Sequence, residues 1–182
     1  MSRSWWKASG SGELRHNSRP PRRYRTARGN LTLMWRVATS SDDQTVVSMC
    51  MALNAEDSGP APVGPGHVRA TLANLREDPN HGRAVVCDVQ GRTVGYALLI
   101  SFWSNELGGE VCNIDELFVA PQHRGQGLAT ALFRSLAEGN LSLWSTKPAA
   151  LALEVSLQNE RACALYERLG FQDKNLAMRL PL

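Results

Sequence analysis

The 182-residue chain has no apolar run approaching the roughly 18 residues of a membrane-crossing helix. Its four cysteines, Cys50, Cys87, Cys112 and Cys163, have no metal-like spacing, and its four histidines include no H-x-x-x-H pair. No bound metal is therefore expected. The cysteines read as reduced and mostly buried thiols of a cytoplasmic protein. No internal repeat is visible. Basic residues are missing altogether from Thr93 to His123, where four acids stand: Glu106, Glu110, Asp115 and Glu116.

Acids are scarce in turn at the start of the chain. Residues 1–30 carry eight Lys or Arg and the single acid Glu13, a net of +7, whereas the remainder carries 12 basic and 16 acidic residues, a net of −4. The basic character belongs to this leader, which weakens a nucleic-acid reading of the rest. Rich in Arg, Ser, Gly and Pro and without helical or strand period, residues 1–30 read as disordered. They fit a non-native or mis-started leader with Met34 near the true start, a targeting peptide, or an arm contacting RNA or membrane. Residues 31–182 form one domain, long enough to bury its own core.

The organising stretch runs from Asn113 to Glu138. Asn113 to Val119 reads as a strand that Pro121 stops. From Leu128 the apolar residues Leu128, Leu132, Phe133 and Leu136 recur at helical spacing. Between them lie Arg124, Gly125, Gln126 and Gly127. Glycines there let backbone N–H groups converge, and a helix start carries partial positive charge. The expected ligand is an anion such as a pyrophosphate, bound by Arg124, Gly125, Gln126, Gly127, Leu128 and Ala129. The plainer alternative is a glycine turn needed for packing. A dinucleotide fingerprint would need a third glycine where Thr130 stands.

Upstream, Leu31 to Thr39 reads as a strand. A helix capped by Ser40 or Ser41 follows to about Leu53, with Asp42 and Asp43 suiting its dipole. Ser58 to Gly66 is a loop, and a second helix ends before Pro79. Arg83 to Val89 and Thr93 to Trp103 form a hairpin over Gln90-Gly91-Arg92. Gly95 marks a close approach or bulge. Leu151 to Leu157 is a strand parallel to Asn113–Val119. Asn159 caps a helix from Glu160 to Leu169, and Phe171–Lys174 with Leu176–Leu180 close the chain as a hairpin.

Two blocks, Gln122-His123-Arg124-Gly125-Gln126-Gly127 and, downstream, Asn159, Ala162, Tyr166 and Gly170-Phe171, resemble those of the GNAT N-acetyltransferases over roughly Leu33 to Leu180. The resemblance implies an α/β (α+β) GNAT acyl-CoA acyltransferase fold, with a mixed sheet of about six to seven strands flanked by about four helices. It implies acetyl-CoA as cosubstrate, its pyrophosphate on the glycine loop. Its pantetheine arm would pair with backbone at Leu117, Phe118 and Val119, near Asn159. A homodimer is expected on the same ground. Tyr166 matches the family's general acid, a role its phenol suits because a leaving thiolate must be protonated; a packed aromatic is the alternative.

The attacking amine must be neutral, so a base is needed. Asp115 and Glu116 are the candidates, with Asp115 preferred because it shares a strand face with Leu117 and Val119. Phe102, Trp103, Glu106 and Glu110 read either as an acidic, aromatic-lined cleft for a cationic amine or as core residues and a solvated turn. The function expected is direct acetyl transfer to a small cationic amine. Acetylation of a protein Lys or N-terminus, or CoA binding without turnover, are the rivals. Neither nucleic acid nor membrane is an expected partner of the domain.

Overall fold

A computed structural model describes residues 24–26, 29–31, 33–57, 63–141 and 143–172. Strands β1 (Tyr24–Thr26) and β2 (Gly29–Leu31) pair antiparallel as a two-stranded ribbon. They lie where the sequence shows no strand period; the rest of the leader is outside the described residues. Among the described residues the larger sheet has five strands, in the order β3-β4-β5-β6-β7. Its strands are β3 (Leu33–Val37), β4 (Gly82–Val89), β5 (Arg92–Ser104), β6 (Gly109–Val119) and β7 (Ala150–Leu153). Only the β6–β7 pair is parallel. The expected terminal hairpin falls outside the described residues beyond Gln172, so the described sheet is narrower than the six to seven strands anticipated.

Both faces of the sheet are covered, and the strand period of two divides the core. Val85, Cys87, Ala97 and Leu99 face helix α3 (Leu128–Ala137) together with Leu132 and Phe133. The alternate residues Ala84, Val86, Tyr96 and Leu98 face helices α1 (Asp43–Glu56) and α2 (Pro65–Glu77), against Val46, Cys50 and Leu72. Helix α4 (Glu160–Arg168) adds Tyr166 and the following Phe171 to the first face. None of these helices is long and apolar enough to cross a membrane.

Local chemistry sets the joints. The β4–β5 turn is Gln90-Gly91 with φ of 52° and 75°, the positive pair that a two-residue hairpin needs. Gly95 is tied to a close approach, since a Cβ there would sit 2.7 Å from the Phe118 carbonyl oxygen. The strands slip register opposite it, between Cys87 and Asp88. Proline opens α2 at Pro65, one residue inside the expected loop, because its missing N–H costs nothing at a first helical position.

The start of α1 differs from expectation. A 3-10 turn, Ser40–Asp42, comes first: Thr39 caps that turn, Asp42 is the residue before α1 rather than Ser40 or Ser41, and its side chain reaches back to Thr39. The Asp42 carboxylate accepts from the Thr39 N–H at 2.8 Å and hydroxyl at 3.0 Å. It also takes two hydrogen bonds from Arg36 at 2.8 and 2.9 Å, while Arg36 Nε donates to Asp88 at 2.7 Å. One guanidinium thus ties β3, β4 and α1 together. The Arg36 hydrogen bonds hold the Asp42 carboxyl well below the usual aspartate range, against the opposing effect of burial. Its contribution is full above the unfolded value near 3.9 and is lost as pH falls towards the depressed native value. Replacing Asp42 by Asn should cost about 1.5–3 kcal/mol, the range for hydrogen bonds to charged groups. Denaturant titrations from pH 7 to pH 2 should show a shallower acid decline for the variant than for the parent.

Candidate active site

The site is built around an irregularity in β6. The β5–β6 register places Leu99 opposite Ile114 and Leu98 opposite Glu116, so Asp115 is the extra residue of a β-bulge. Cys112 and Ile114 belong to the core under α3, but Phe118 belongs to the core under α1 and α2. The two faces exchange across Asp115. Glu116 goes with Phe118: its carboxylate accepts a 2.6 Å hydrogen bond from the Tyr96 hydroxyl and lies 3.6 Å from the Cys50 thiol of α1. Leu117 and Val119 pack against the α3 side. Regular alternation, the ground for putting Asp115 on the face of Leu117 and Val119, therefore does not hold. Asp115 is exposed, and Glu116 is the half-buried member of the pair.

The same point ends the pairing with β7. Val111 to Ile114 pair with Ala150 to Leu153, and β6 then runs on to Val119 with no strand beside it on that side among the described residues. Sequence expectation carried β7 to Leu157. The shorter strand leaves the backbone edge at Leu117, Phe118 and Val119 open.

After Val119 a 3-10 turn, Pro121–His123, leads into the glycine loop. The Arg124 N–H is used in this turn, donating to the Pro121 carbonyl at 3.2 Å, so it is not part of the anion cradle expected of it. The Arg124 side chain is an anchor instead. Nε donates to the Val119 carbonyl at 2.6 Å, a terminal nitrogen donates to Glu56 of α1 at 2.7 and 2.9 Å, and the guanidinium lies 5.4 Å from the Phe118 ring centre. Gly125 and Gly127 have φ of 73° and 81°, a conformation that disfavours any side chain. Among the described residues, the backbone N–H groups from Gly125 to Ala129 donate to no protein acceptor. The start of α3 is pinned from β3, where Trp35 Nε1 donates to the Leu128 carbonyl at 3.0 Å. The Gln126 side chain turns back on the Gln122 carbonyl at 3.3 Å and lines no cavity.

A cavity of about 440 Å³ joins the open β6 edge to this loop. Leu117, Phe118 and Val119 line it from the strand, Gly125, Gly127, Leu128 and Ala129 from the loop and α3, and Asn159 and Tyr166 from α4. Asn159 caps α4 as expected, its side-chain oxygen accepting from the Ala162 N–H at 3.2 Å. Tyr166 stands edge-on to Phe133 and Phe171, with ring centres 5.7 and 5.8 Å away. Gly170, at φ 91°, ends the helix and lets the Phe171 N–H reach back to the Tyr166 carbonyl at 3.0 Å. The Gly170-Phe171 pair thus seats the Tyr166 ring. Burial pushes the Tyr166 phenol up, so it is held protonated at neutral pH, and its hydroxyl has no hydrogen-bond partner among the described residues.

Eight cavity residues were not named as site residues from the sequence: Leu53 and Glu56 of α1, His123, Thr130, and Arg161, Ala162, Leu165 and Arg168 of α4. The two arginines carry a signal, a seven-residue spacing on one helix that repeats the Asn159–Tyr166 interval. The Glu56–Arg124 pair spans 68 positions and has none. The reverse error concerns Phe102, Trp103, Glu106 and Glu110. They lie at the β5–β6 hairpin, at the end of β6 remote from the glycine loop. Nine residues separate Glu110 from Val119, about 30 Å of strand. None of the four lines the cavity, and Phe102 and Trp103 are 50% and 63% exposed. Glu110 is occupied by the Ser101 hydroxyl at 2.6 Å.

Burial pushes the Cys87 and Cys112 thiols up to about 12, so neither is a nucleophile, and all four cysteines are free. Among the described residues no group of His, Cys, Asp or Glu could hold a metal ion.

A loop of unpaired N–H groups at a helix start, beside a strand edge opened by a bulge, defines a class of acyl-CoA-dependent transferase architecture. The chain belongs to the acetyltransferase (GNAT) family, which matches residues 37–171. It is 36% identical over 94 residues to an uncharacterized N-acetyltransferase of Methanocaldococcus jannaschii, a match covering 50% of this chain and 39% of that protein. It is 35% identical over 80 residues to a thialysine N-epsilon-acetyltransferase of Mus musculus, covering 44% of this chain and 45% of the relative. The matches thus span less than half the length of these two curated relatives. A glucosamine 6-phosphate N-acetyltransferase of Trypanosoma brucei brucei is 34% identical over 124 residues, 67% of this chain and 80% of the relative. Among solved structures, a possible acetyltransferase from Clostridium difficile 630 superposes with a TM-score of 0.68 at 21% identity, covering 82% of this chain and 97% of that one.

The glycine geometry gives a direct test. A Cβ at Gly127 meets nothing within 4 Å, so Gly127→Ala keeps the fold at the cost of its φ of 81°. That strain is worth about 1–2 kcal/mol. If the added methyl displaces one charge-assisted N–H contact, CoA affinity should fall about 10- to 100-fold. Calorimetric titration of the variant with CoA measures this, with the thermal melt as folding control.

Proposed function

We propose that the protein transfers an acetyl group from acetyl-CoA directly to a primary amine. The observation that carries this reading is the meeting, in one cavity, of the free N–H groups of residues 125–129, the open β6 edge and the Tyr166 hydroxyl. The N–H cradle receives the pyrophosphate, supported by the cationic side chains of Arg161 and Arg168 on the facing wall. The edge at Leu117 to Val119 takes the extended pantetheine arm as a further strand would be taken. A backbone N–H of that edge polarises the acetyl carbonyl.

The amine arrives as an ammonium ion and gives one proton to a carboxylate at the bulge, Asp115 or Glu116. The neutral nitrogen attacks the thioester carbon, the C–N bond forms and the C–S bond breaks. Tyr166 supplies a proton to the departing sulfur. It is restored by the second proton lost from the new amide nitrogen. One ammonium proton ends on the thiol and the other is released to solvent. A phenol shifted upward by burial is protonated throughout the neutral range, as this role demands.

The acceptor is proposed to be a small cationic amine. Support comes from the two adjacent carboxylates of the bulge and from the relative named for thialysine. The acidic hairpin, being remote, gives none. Thiol release from acetyl-CoA should therefore appear with spermidine or an aminoglycoside and not with a Lys-bearing peptide. Turnover with the peptide alone would replace the small-amine reading by protein acetylation. Tyr166→Phe should lower kcat by about 10²-fold while CoA affinity stays unchanged. A variant with full rate would remove Tyr166 from the acid role.

A further inference from the structure

Tyr96 is the largest fully buried side chain among the described residues, at 0% exposure. Its hydroxyl nevertheless points at an ionisable group. It donates to Glu116 at 2.6 Å, a short bond of the kind a carboxylate accepts. On the other side of the same carboxylate, Cys50 of α1 places its sulfur 3.6 and 3.9 Å from the two oxygens. The Asn54 amide, one turn further along α1, donates to that sulfur at 3.4 Å. Burial, with the Glu116 charge adding to it, drives the Tyr96 phenol far up, so Tyr96 stays a donor at every accessible pH. Burial likewise raises the Cys50 thiol and keeps it protonated.

Two permanent donors, one from the sheet and one from α1, therefore clamp Glu116 in place. Glu116 and its two donors do not themselves line the cavity of about 440 Å³, but residues close to them in the chain do. Phe118, two residues beyond Glu116 on the same face, is a cavity residue, about 7 Å along the strand. Leu53, three residues after Cys50, is another, about 4.5 Å along the helix. Asp115, the bulged residue beside it, is exposed.

We propose that Tyr96 is a positioning residue that, together with Cys50, holds Glu116 as the carboxylate that takes the proton from the acceptor ammonium. The inference rests on the acetyl-transfer reading and selects one of its two candidate bases. A phenol and a thiol serve here because neither competes for the proton. A Lys or Arg in their place would neutralise the carboxylate by pairing with it and weaken it as a base. Glu116 keeps a further oxygen lone pair for the substrate, because a carboxylate accepts about four hydrogen bonds and the clamp uses fewer.

The experiment is a double-mutant cycle on kcat with the amine that the parent protein turns over. Glu116→Gln should lower kcat by about 10²-fold, the scale of one general base. Tyr96→Phe, which removes only the hydroxyl, should lower it by about tenfold with CoA affinity unchanged. The decisive prediction is that Tyr96→Phe has no further effect on kcat in the Glu116→Gln background, because it acts only through Glu116. Cys50→Ala should show the same dependence with a smaller single effect, and serves if Tyr96→Phe unfolds. Losses that multiply in the double variant, or a Tyr96→Phe protein with parental kcat, overturn the proposal while leaving acetyl transfer intact. A parent protein silent on every amine of the panel overturns the transfer reading itself, and the proposal with it.

Discussion

One extra residue in one strand sets the geometry of this protein. Without Asp115 as a bulge, β6 would alternate regularly past Ile114, and Glu116 would enter the apolar core under α3. An unpaired carboxylate there would be strongly unfavourable. With the bulge, the polar side chain is delivered to Tyr96 and Cys50 on the other face, and Leu117 takes the place on the α3 side. Bulges also sharpen local twist. β6 parts from β7 immediately before it, at Ile114 and Leu153. The carboxylate clamp and the open strand edge thus have a common origin.

An open edge is normally a liability, since it invites another chain to pair. Here it is recessed between α1, α4 and the glycine loop, and the parts around it are fixed from several directions. Arg124 joins the loop to the end of β6 through the Val119 carbonyl and to α1 through Glu56. Trp35 holds the first carbonyl of α3 from the far strand β3. Arg36 draws α1 onto β3 and β4. These contacts settle the site before a ligand arrives, so binding energy is not consumed in ordering the loop. The Glu56–Arg124 ion pair is partly exposed and weak as a stabiliser. Its use is geometric, because it keeps the guanidinium off the N–H cradle.

What the sequence disclosed follows from range. The loop Gly125–Gly127, the α4 cap at Asn159 and the stop at Gly170 are local backbone requirements, and local composition reveals them. The strands and helices were legible to within a few residues because their periods are local too. The bulge was not, since it arises from a pairing of Leu98 with Glu116 that the Ile114-Asp115-Glu116 run does not announce. The reliance on simple alternation at Asp115 failed for that reason. The hairpin acids failed differently. Sequence proximity to the Asn113–Val119 strand suggested proximity to the site, but a strand is long, and Glu106 and Glu110 lie at its wrong end. Tyr96 was invisible as a polar residue because its neighbours Val94, Ala97 and Leu98 mark a buried strand, in which a tyrosine reads as packing.

Charge is finally arranged along the cavity rather than spread through the domain. At one end stand the N–H groups of the loop, the positive start of α3 and the arginines Arg161 and Arg168. The carboxylates of the bulge, Asp115 and Glu116, are not among the residues lining the cavity; they precede Leu117 on β6. Outside the leader the chain is net acidic, so the cationic end is a local feature made against the overall field. A ligand that is anionic at its nucleotide end is drawn to that cationic end of the cleft. Leu117 to Val119 and Tyr166 line an uncharged stretch of the same cavity. In the proposed reaction the amine must lose its charge before it attacks. Glu116, held by Tyr96 and Cys50, is the carboxylate that in this proposal takes that proton.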